Sequence, residues 1–155
     1  MRTIKFKAKS KLDGLWYVGD LIHAGEDEFI KPESERNSLF PQCKKAIPGT
    51  VCQFTGFLDK NGKEIYEGDV LQSDLPPFSI QNRSDSFSDV RYGVVVFNSG
   101  LGSFHLKVYS NRQYKTDYYF ESVPYGFTVQ NCKDFEVVGS VHDEEWQEKL
   151  NLKDE

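Results

Sequence analysis

Apolar and polar residues alternate strictly at the start of the chain. Across residues 3–8 the even positions are apolar and the odd positions are polar, and a period of two places the apolar set on one face of an extended strand. Residues 14–18 predict a second strand, which residues 19–22 either continue or redirect. Residues 23–49 are polar, lack a period and contain three prolines, which predicts irregular chain.

The Asn61-Gly62 pair is the clearest turn signal in the chain. Asn and Gly tolerate the positive φ that a type I′ turn requires, so the pair predicts a two-residue hairpin. A strand is predicted before it, over residues 51–55, and a short strand over residues 70–71 follows a break at residues 67–69. This part of the chain therefore predicts consecutive antiparallel strands.

The C-terminal half contains further strand signals and one long gap. Residues 91–97 and 104–109 predict a hairpin over a glycine-rich bend, and residues 135–141 predict the last strand. Residues 73–89 carry Ser, Asp, Asn and a Pro76-Pro77 pair with little periodicity. Because structureless loops longer than roughly 12 to 15 residues are uncommon, this stretch predicts a mobile loop or an insertion.

A short α-helix is predicted over residues 143–151. Asp143 supplies a capping carboxylate, acids follow it in the first turn, and Trp146 and Leu150 fall on one helical face. Together these elements predict a single all-β domain over residues 1–155. It has about nine antiparallel strands in a β barrel or sandwich, with the short helix at the C-terminal end.

An internal similarity raises the hypothesis of two related β units. Residues 14–22 and 62–71 each begin with Gly and end with a Gly-Asp pair followed by two aliphatic residues. A repeated strand, turn and Gly-Asp corner would place tentative units at residues 1–49 and 50–141 around one core. The alternative is chance, since a strand, a Gly and a second strand follow one another in many proteins.

Composition and charge narrow the classes of partner. The 155 residues include 12 Phe, 8 Tyr and 2 Trp but 1 Met, so aromatic side chains must build the interior and strands are favoured. The net charge of −5 argues against a generally cationic surface that would coat nucleic acid or an anionic membrane.

The sequence predicts a cytoplasmic protein. Residues 1–7 mix charged with apolar side chains and leave no apolar signal-peptide region. The longest apolar run, residues 94–97, is far below the ~20 residues that span a bilayer. Cys43, Cys52 and Cys132 fit neither a disulfide framework nor a Cys-x-x-Cys zinc site, so we expect reduced thiols.

The candidate chemical groups have simpler structural interpretations. Glu67 and Asp69 form a carboxylate pair, but the Gly between them favours a strand corner that Asp caps. His23, His105 and His142 lie far apart and lack a metal-binding spacing. Neither a nucleophile elbow nor a phosphate loop occurs. We therefore expect no catalytic residues, metal or cofactor, and a protein that is not an enzyme.

Four lysines near the N-terminus are candidates for phosphate contacts. Lys5, Lys7, Lys9 and Lys11 occupy alternate positions, so an extended strand would place their ammonium groups on one face, where they would follow a nucleic-acid backbone. The structural alternative is an edge strand, in which Lys prevents edge-to-edge association.

Aromatic residues further along the chain are candidates for a protein interface. Tyr118, Tyr119, Tyr125 and Phe127 would anchor contacts with a second copy or with another protein, because aromatic side chains bury large areas at low entropic cost. The alternative is that these residues line the core.

Residues 55–70 carry a specific resemblance. Their sequence, TGFLDKNGKEIYEGDV, closely resembles the signature of the YopX family of bacteriophage and prophage proteins. The opening residues 1–6, the LWYVGDL stretch of residues 15–21, the GVVVF strand of residues 93–97 and the FEVVG strand of residues 135–139 agree with the family as well. The chain departs from the family pattern at residues 9–10 and 143–145, where Trp-Asp and Asn-Pro-Glu are usual.

The resemblance implies an all-β fold, a phage or integrated-element origin and a bacterial cytoplasm, with no reaction or catalytic residue to carry over. We therefore expect a non-enzymatic phage accessory protein. Its expected action is protein-protein binding or self-assembly into a homo-oligomer, with itself or a host or phage protein as partner. The alternative function is nucleic-acid binding through the lysine stripe and exposed tyrosines.

Overall fold

The computed structural model describes residues 3–73, 92–109 and 135–150. These residues form ten strands, one 3₁₀ turn and one α-helix. The strands are β1 (Phe6–Lys9), β2 (Trp16–Ala24), β3 (Asp27–Pro32), β4 (Lys44–Lys45), β5 (Cys52–Leu58), β6 (Glu64–Tyr66), β7 (Asp69–Ser73), β8 (Tyr92–Asn98), β9 (Ser103–Tyr109) and β10 (Phe135–Ser140). The 3₁₀ turn is Glu33–Glu35 and the helix, α1, is Glu144–Lys149.

The fold is all-β, as predicted, with two antiparallel sheets. One sheet has the order β4-β3-β2-β1-β5-β6 and the other has the order β10-β7-β8-β9. Among the described strands neither sheet closes on itself, so the barrel alternative is wrong. The chain divides into two compact units, Met1–Gly56 and Phe57–Glu155.

The first unit is built around β1, which pairs with β2 on one side and with β5 on the other. The predicted alternation of β1 is confirmed, because Phe6 and Ala8 contribute to one apolar cluster with Ile30 and Ala46. The intervening lysines therefore lie on the opposite face of this central strand.

The prediction of irregular chain over residues 23–49 is wrong where β2, β3, the 3₁₀ turn and β4 occupy this range. Strand β2 runs on to Ala24, and β3 pairs with it from Gly19↔Pro32 to Ala24↔Asp27. Gly25, at φ 65°, makes the tight turn between them. Periodicity missed β3 because half of its residues are charged and only Ile30 and Pro32 are buried.

The two Gly-Asp pairs of the internal similarity have different conformations. Gly19 lies inside β2, and a Cβ there would come within 1.8 Å of the Lys31 carbonyl oxygen, so the residue permits close strand packing. Gly68 instead has φ 74° and turns the chain between β6 and β7. The shared features are the preceding turns, where Gly14 and Gly62 both have positive φ; the Gly-Asp corner is not repeated.

The second unit contains a sheet with apolar clusters and a docked helix. One cluster joins buried residues that include Ile65, Leu71 and Val95, and another joins Val70 and Val94 to Trp146 of α1. The indole of Trp146 meets Tyr92 edge to face, with ring centroids 5.1 Å apart. The predicted helix is confirmed. None of the described helices is long and apolar enough to cross a membrane.

The expected side-chain cap at Asp143 is wrong. Asp143 is the N-cap residue of α1, but its carboxylate makes no capping hydrogen bond to the helix. It accepts instead from the Ser140 N–H at 3.1 Å. The carboxylate therefore satisfies a donor at the end of β10.

Candidate interaction surfaces

The loop of the family signature is organised by the buried carboxylate of Asp59, which is 5% exposed. Its Oδ1 accepts from the N–H groups of Asn61 (2.8 Å) and Lys63 (2.9 Å). Its Oδ2 accepts from the N–H of Val137 on β10 at 2.9 Å. Burial opposes ionisation, but the three N–H donors and the Lys63 charge outweigh it, so the pKa of Asp59 lies below its ordinary value.

This hairpin is not the predicted two-residue Asn61-Gly62 turn. The Gly62 N–H donates to the Asp59 carbonyl at 3.0 Å and the Asp59 N–H donates to the Lys63 carbonyl at 2.7 Å. Lys60 and Asn61 are therefore the central turn residues, and Gly62 follows them at φ 81°. The carboxylate of Asp59 decides this geometry because it binds two amides within the loop.

The same loop is tied to β10 by further contacts. The Lys60 N–H donates to the Phe135 carbonyl at 2.8 Å, and the Lys63 ammonium donates to the Val137 carbonyl at 3.3 Å. The side chain of Lys60 forms an ion pair with Glu136 at 2.9 Å. The most specific stretch of the signature thus fixes the loop of residues 59–63 against β10 within the second unit.

In the predicted carboxylate pair of Glu67 and Asp69, the Asp69 side chain stabilises the corner between β6 and β7. Asp69 is fully buried, and its Oδ2 accepts from the Tyr66 N–H at 2.8 Å. Gly68 donates its N–H to the Val95 carbonyl and accepts from the Val141 N–H through its own carbonyl. This arrangement agrees with the turn interpretation of residues 67–69.

The histidines occupy separate local environments. His23 is exposed beside Glu28, with 3.9 Å between the ring nitrogen and the carboxylate. The Nε2 of His105 lies 2.8 Å from the Ser103 hydroxyl on β9. Within residues 3–73, 92–109 and 135–150, no group of three or more His, Cys, Asp or Glu side chains is arranged to hold a metal ion.

Trp16 lies beside two lysines of the predicted stripe. The ammonium groups of Lys7 and Lys9 lie 4.7 Å and 5.5 Å from the centre of the Trp16 ring system. Both lysines are on β1 and Trp16 is on the adjacent strand β2. Because β1 is internal to its sheet, the interpretation of these lysines as edge-strand protection is wrong.

Lys5 and Lys11 differ from the two central lysines. The Lys5 side chain is 11% exposed and pairs with Glu33 at 3.4 Å, and its ammonium lies 5.1 Å from the Phe54 ring centre. Lys11 lies in the turn after β1, where its N–H donates to the Lys45 carbonyl. The structure therefore brings Lys7 and Lys9 together around one aromatic ring and holds Lys5 in an ion pair.

Charge is distributed unevenly along the chain. Residues 1–56 contain nine Lys and Arg against seven Asp and Glu, a net charge of +2, whereas residues 57–155 contain ten against seventeen, a net charge of −7. The acidity of the whole chain therefore says little about the first unit. This unit offers an anion a more favourable potential than the total charge indicates.

The described residues also expose several large apolar side chains, namely Ile4, Leu12, Leu15, Ile22, Leu39, Phe40, Leu58, Phe97 and Leu101. Leu39 and Phe40 are consecutive and are 89% and 88% exposed. Local hydrogen bonds shape this segment, from the Ser38 N–H to the Glu35 carbonyl and from the Phe40 N–H to the Ser38 hydroxyl. We call Leu39 and Phe40 the apolar tip.

Sequence reasoning missed the apolar tip, although the adjacent Leu and Phe before Pro41 were a visible signal. The aromatic anchors chosen from the sequence, Tyr118, Tyr119, Tyr125 and Phe127, lie outside the described residues. So do Cys132 and residues 74–89 of the predicted mobile loop.

The fold places the chain among antiparallel two-sheet β proteins with a short C-terminal helix. The chain belongs to the YopX family: the family model described as YopX protein matches residues 5–145, which confirms the resemblance seen in the signature. No curated protein matches the chain. A solved structure titled "Crystal structure of protein EF1440 from Enterococcus faecalis" is similar, with 17% identity, a TM-score of 0.48, and coverage of 94% of this chain and 97% of that chain.

Proposed function

We propose that this YopX-family protein acts by binding protein surfaces, without a reaction of its own, and that self-association is the first form of this binding. The exposed apolar tip carries the proposal. Single exposed apolar residues are ordinary on protein surfaces, but adjacent Leu and Phe side chains that are both nearly fully exposed form a compact anchor.

Burial of the apolar tip would contribute part of the free energy of a specific contact. Full burial of a Leu or Phe side chain contributes roughly 1.5–3 kcal/mol, and each tenfold change in affinity corresponds to about 1.4 kcal/mol. Two such side chains therefore supply a substantial part of a micromolar interface. We propose four aromatic residues as further anchors, because aromatic side chains bury large areas at low entropic cost. They are Tyr118, Tyr119, Tyr125 and Phe127.

Light scattering after size exclusion tests self-association. We expect the mass of the wild-type protein to rise with concentration, and the variant with Leu39→Ser and Phe40→Ser to associate at least about tenfold more weakly. Leu12→Ser is the matched control, because Leu12 is 85% exposed and lies in a different turn. A mass of one chain at every wild-type concentration would contradict the proposal.

The setting we propose is that of an accessory protein of a phage or integrated element in a bacterial cytoplasm. Family membership supports it, because the signature of residues 55–70 resembles proteins of such elements. A host or phage protein remains the second kind of partner for the apolar tip.

Nucleic-acid binding is the second candidate function. The observations in its favour are the +2 charge of residues 1–56 and the two lysines beside Trp16. Against it, Lys5 is largely buried in an ion pair with Glu33.

The dependence of binding on salt decides between the two functions. If Lys7, Lys9 and Lys11 contact phosphates, affinity for a single-stranded oligonucleotide falls steeply with salt, and changing all three to Gln lowers the salt slope by roughly two units. Lys31→Gln is a control within the same sheet. Binding that is absent, or unchanged in the triple variant, would exclude this function.

A further inference from the structure

Among the strands that the structure describes, β10 is at one end of its sheet, where it pairs with β7. In an antiparallel pair, the backbone groups of alternate residues point away from the partner. For β10 the hydrogen bonds of the loop show that the outward groups include the carbonyl of Phe135 and both the N–H and the carbonyl of Val137. These three groups form the ladder that an additional strand would use.

The loop of residues 59–63 satisfies all three groups without being a strand. The Lys60 N–H binds the Phe135 carbonyl at 2.8 Å. The Asp59 carboxylate binds the Val137 N–H at 2.9 Å, and the Lys63 ammonium binds the Val137 carbonyl at 3.3 Å. One backbone amide and two side chains therefore replace the three hydrogen bonds of a neighbouring strand.

We propose that residues 59–63 cover a strand-binding edge on β10, and that the β10 strand of a second copy takes their place when the loop is released. The expected assembly is a two-fold dimer in which two β10 strands pair antiparallel. The position of the loop thereby controls the fraction of molecules that dimerise through the β10 edge. This interface is separate from the apolar tip, so it goes beyond the function proposed above.

A second copy is the occupant because every copy carries the same edge. Two identical edges related by a two-fold axis complement each other in an antiparallel ladder, where each donor faces an acceptor. The apolar side chains of Phe135 and Val137 are already buried, at 8% and 7% exposure. The edge therefore offers backbone hydrogen bonds rather than an apolar surface, which is how strand addition recognises a partner.

Asp59→Ala is the direct test, because it removes the contact with Val137. We expect the weight-average mass to rise about twofold over that of the wild-type protein at equal concentration, as a closed two-fold dimer requires. The Val137 amide should exchange faster than in the wild type at low concentration and regain protection at high concentration. Asp13→Ala is the control, since Asp13 occupies the turn before β2 and binds Leu15 and Tyr17 within its own hairpin.

Lys60→Pro tests the same edge and is the alternative if Asp59→Ala does not fold. Lys60 is the first central residue of its turn, a position that accepts Pro, so Lys60→Pro deletes the N–H that binds Phe135 while the turn is retained. Lys60→Ala keeps that N–H and removes the side chain that pairs with Glu136. We expect Lys60→Pro to associate more strongly than Lys60→Ala.

Adding Leu39→Ser and Phe40→Ser to Asp59→Ala or to Lys60→Pro distinguishes association through the β10 edge from association through the apolar tip. Association that persists in the combined variant supports the β10 edge, whatever the outcome for the tip. A folded Asp59→Ala or Lys60→Pro protein with the wild-type mass overturns the proposal. A rise in mass that disappears when the apolar tip is changed overturns it as well.

Discussion

A single carboxylate, that of Asp59, connects the local turn of residues 59–63 to a strand more than seventy residues away in sequence. Its two oxygens accept three backbone N–H groups, which stabilises the ionised form despite burial. The Asp at position 59 of the family signature is therefore explained by the backbone N–H groups that it accepts from. A buried donor left without an acceptor is among the more damaging local defects in a protein.

Asp59→Asn is predicted to destabilise the protein by about 1–3 kcal/mol, because the amide presents a donor where an acceptor is needed. Asp13→Asn, at an exposed turn, is the control and is expected to cost about 0.5 kcal/mol or less. Urea unfolding measures both changes. Equal losses for the two variants would contradict the role assigned to Asp59.

The effect of Asp59 should depend on pH. Because its pKa is lowered in the folded state, its contribution is complete above the unfolded pKa of about 3.9 and is lost as pH falls through the lower folded value. The difference in stability between wild type and Asp59→Asn should therefore be constant near neutrality and shrink below about pH 4. Urea unfolding at a series of pH values checks this, and a difference that grows on acidification would contradict it.

At the scale of elements, the docking of α1 depends on the absence of a side chain on β10. A Cβ on Gly139 would lie 1.9 Å from the Trp146 Nε1, so the indole occupies the space above this glycine. The register of β10 against β7 also shifts between Val137 and Gly139. The glycine and the irregular register together position the strand under the helix.

Gly139→Ala is predicted to displace Trp146 and to destabilise the protein by about 1–3 kcal/mol, as overpacking of a core does. Gly100→Ala is a matched control, because the nearest atom to its Cβ would be the Asn98 Oδ1 at 3.3 Å. Urea unfolding followed by tryptophan fluorescence measures both. Wild-type stability in Gly139→Ala would show that the indole moves aside without cost.

Strands with strict alternation were predictable, whereas strands held mainly by their neighbours were not. The signals for β1, β5, β9 and β10 were sufficient because apolar side chains recur at every second residue, and β8 was predicted from a continuous apolar run. Strand β4 has two residues, both Lys, and only its pairing with Phe29 and Ile30 of β3 makes it a strand. Periodicity cannot reveal such an element.

At the scale of the whole molecule, the chain combines a basic first unit with an acidic second unit, each with its own apolar clusters. The total charge of −5 averages over this difference and describes neither unit. The candidate surfaces follow the same division. The lysines and the apolar tip belong to the first unit, and the covered edge of β10 belongs to the second.

The sequence alone determined the all-β class, the C-terminal helix and the family, because side-chain alternation and a long specific signature are local properties of the chain. The tertiary structure decided which groups remain available for contact. It placed Lys7 and Lys9 on a central strand, exposed the apolar tip and laid the Asp59 loop along β10. These outcomes depend on pairing between residues distant in sequence, since exposure and hydrogen-bond partners are set by what packs against each residue.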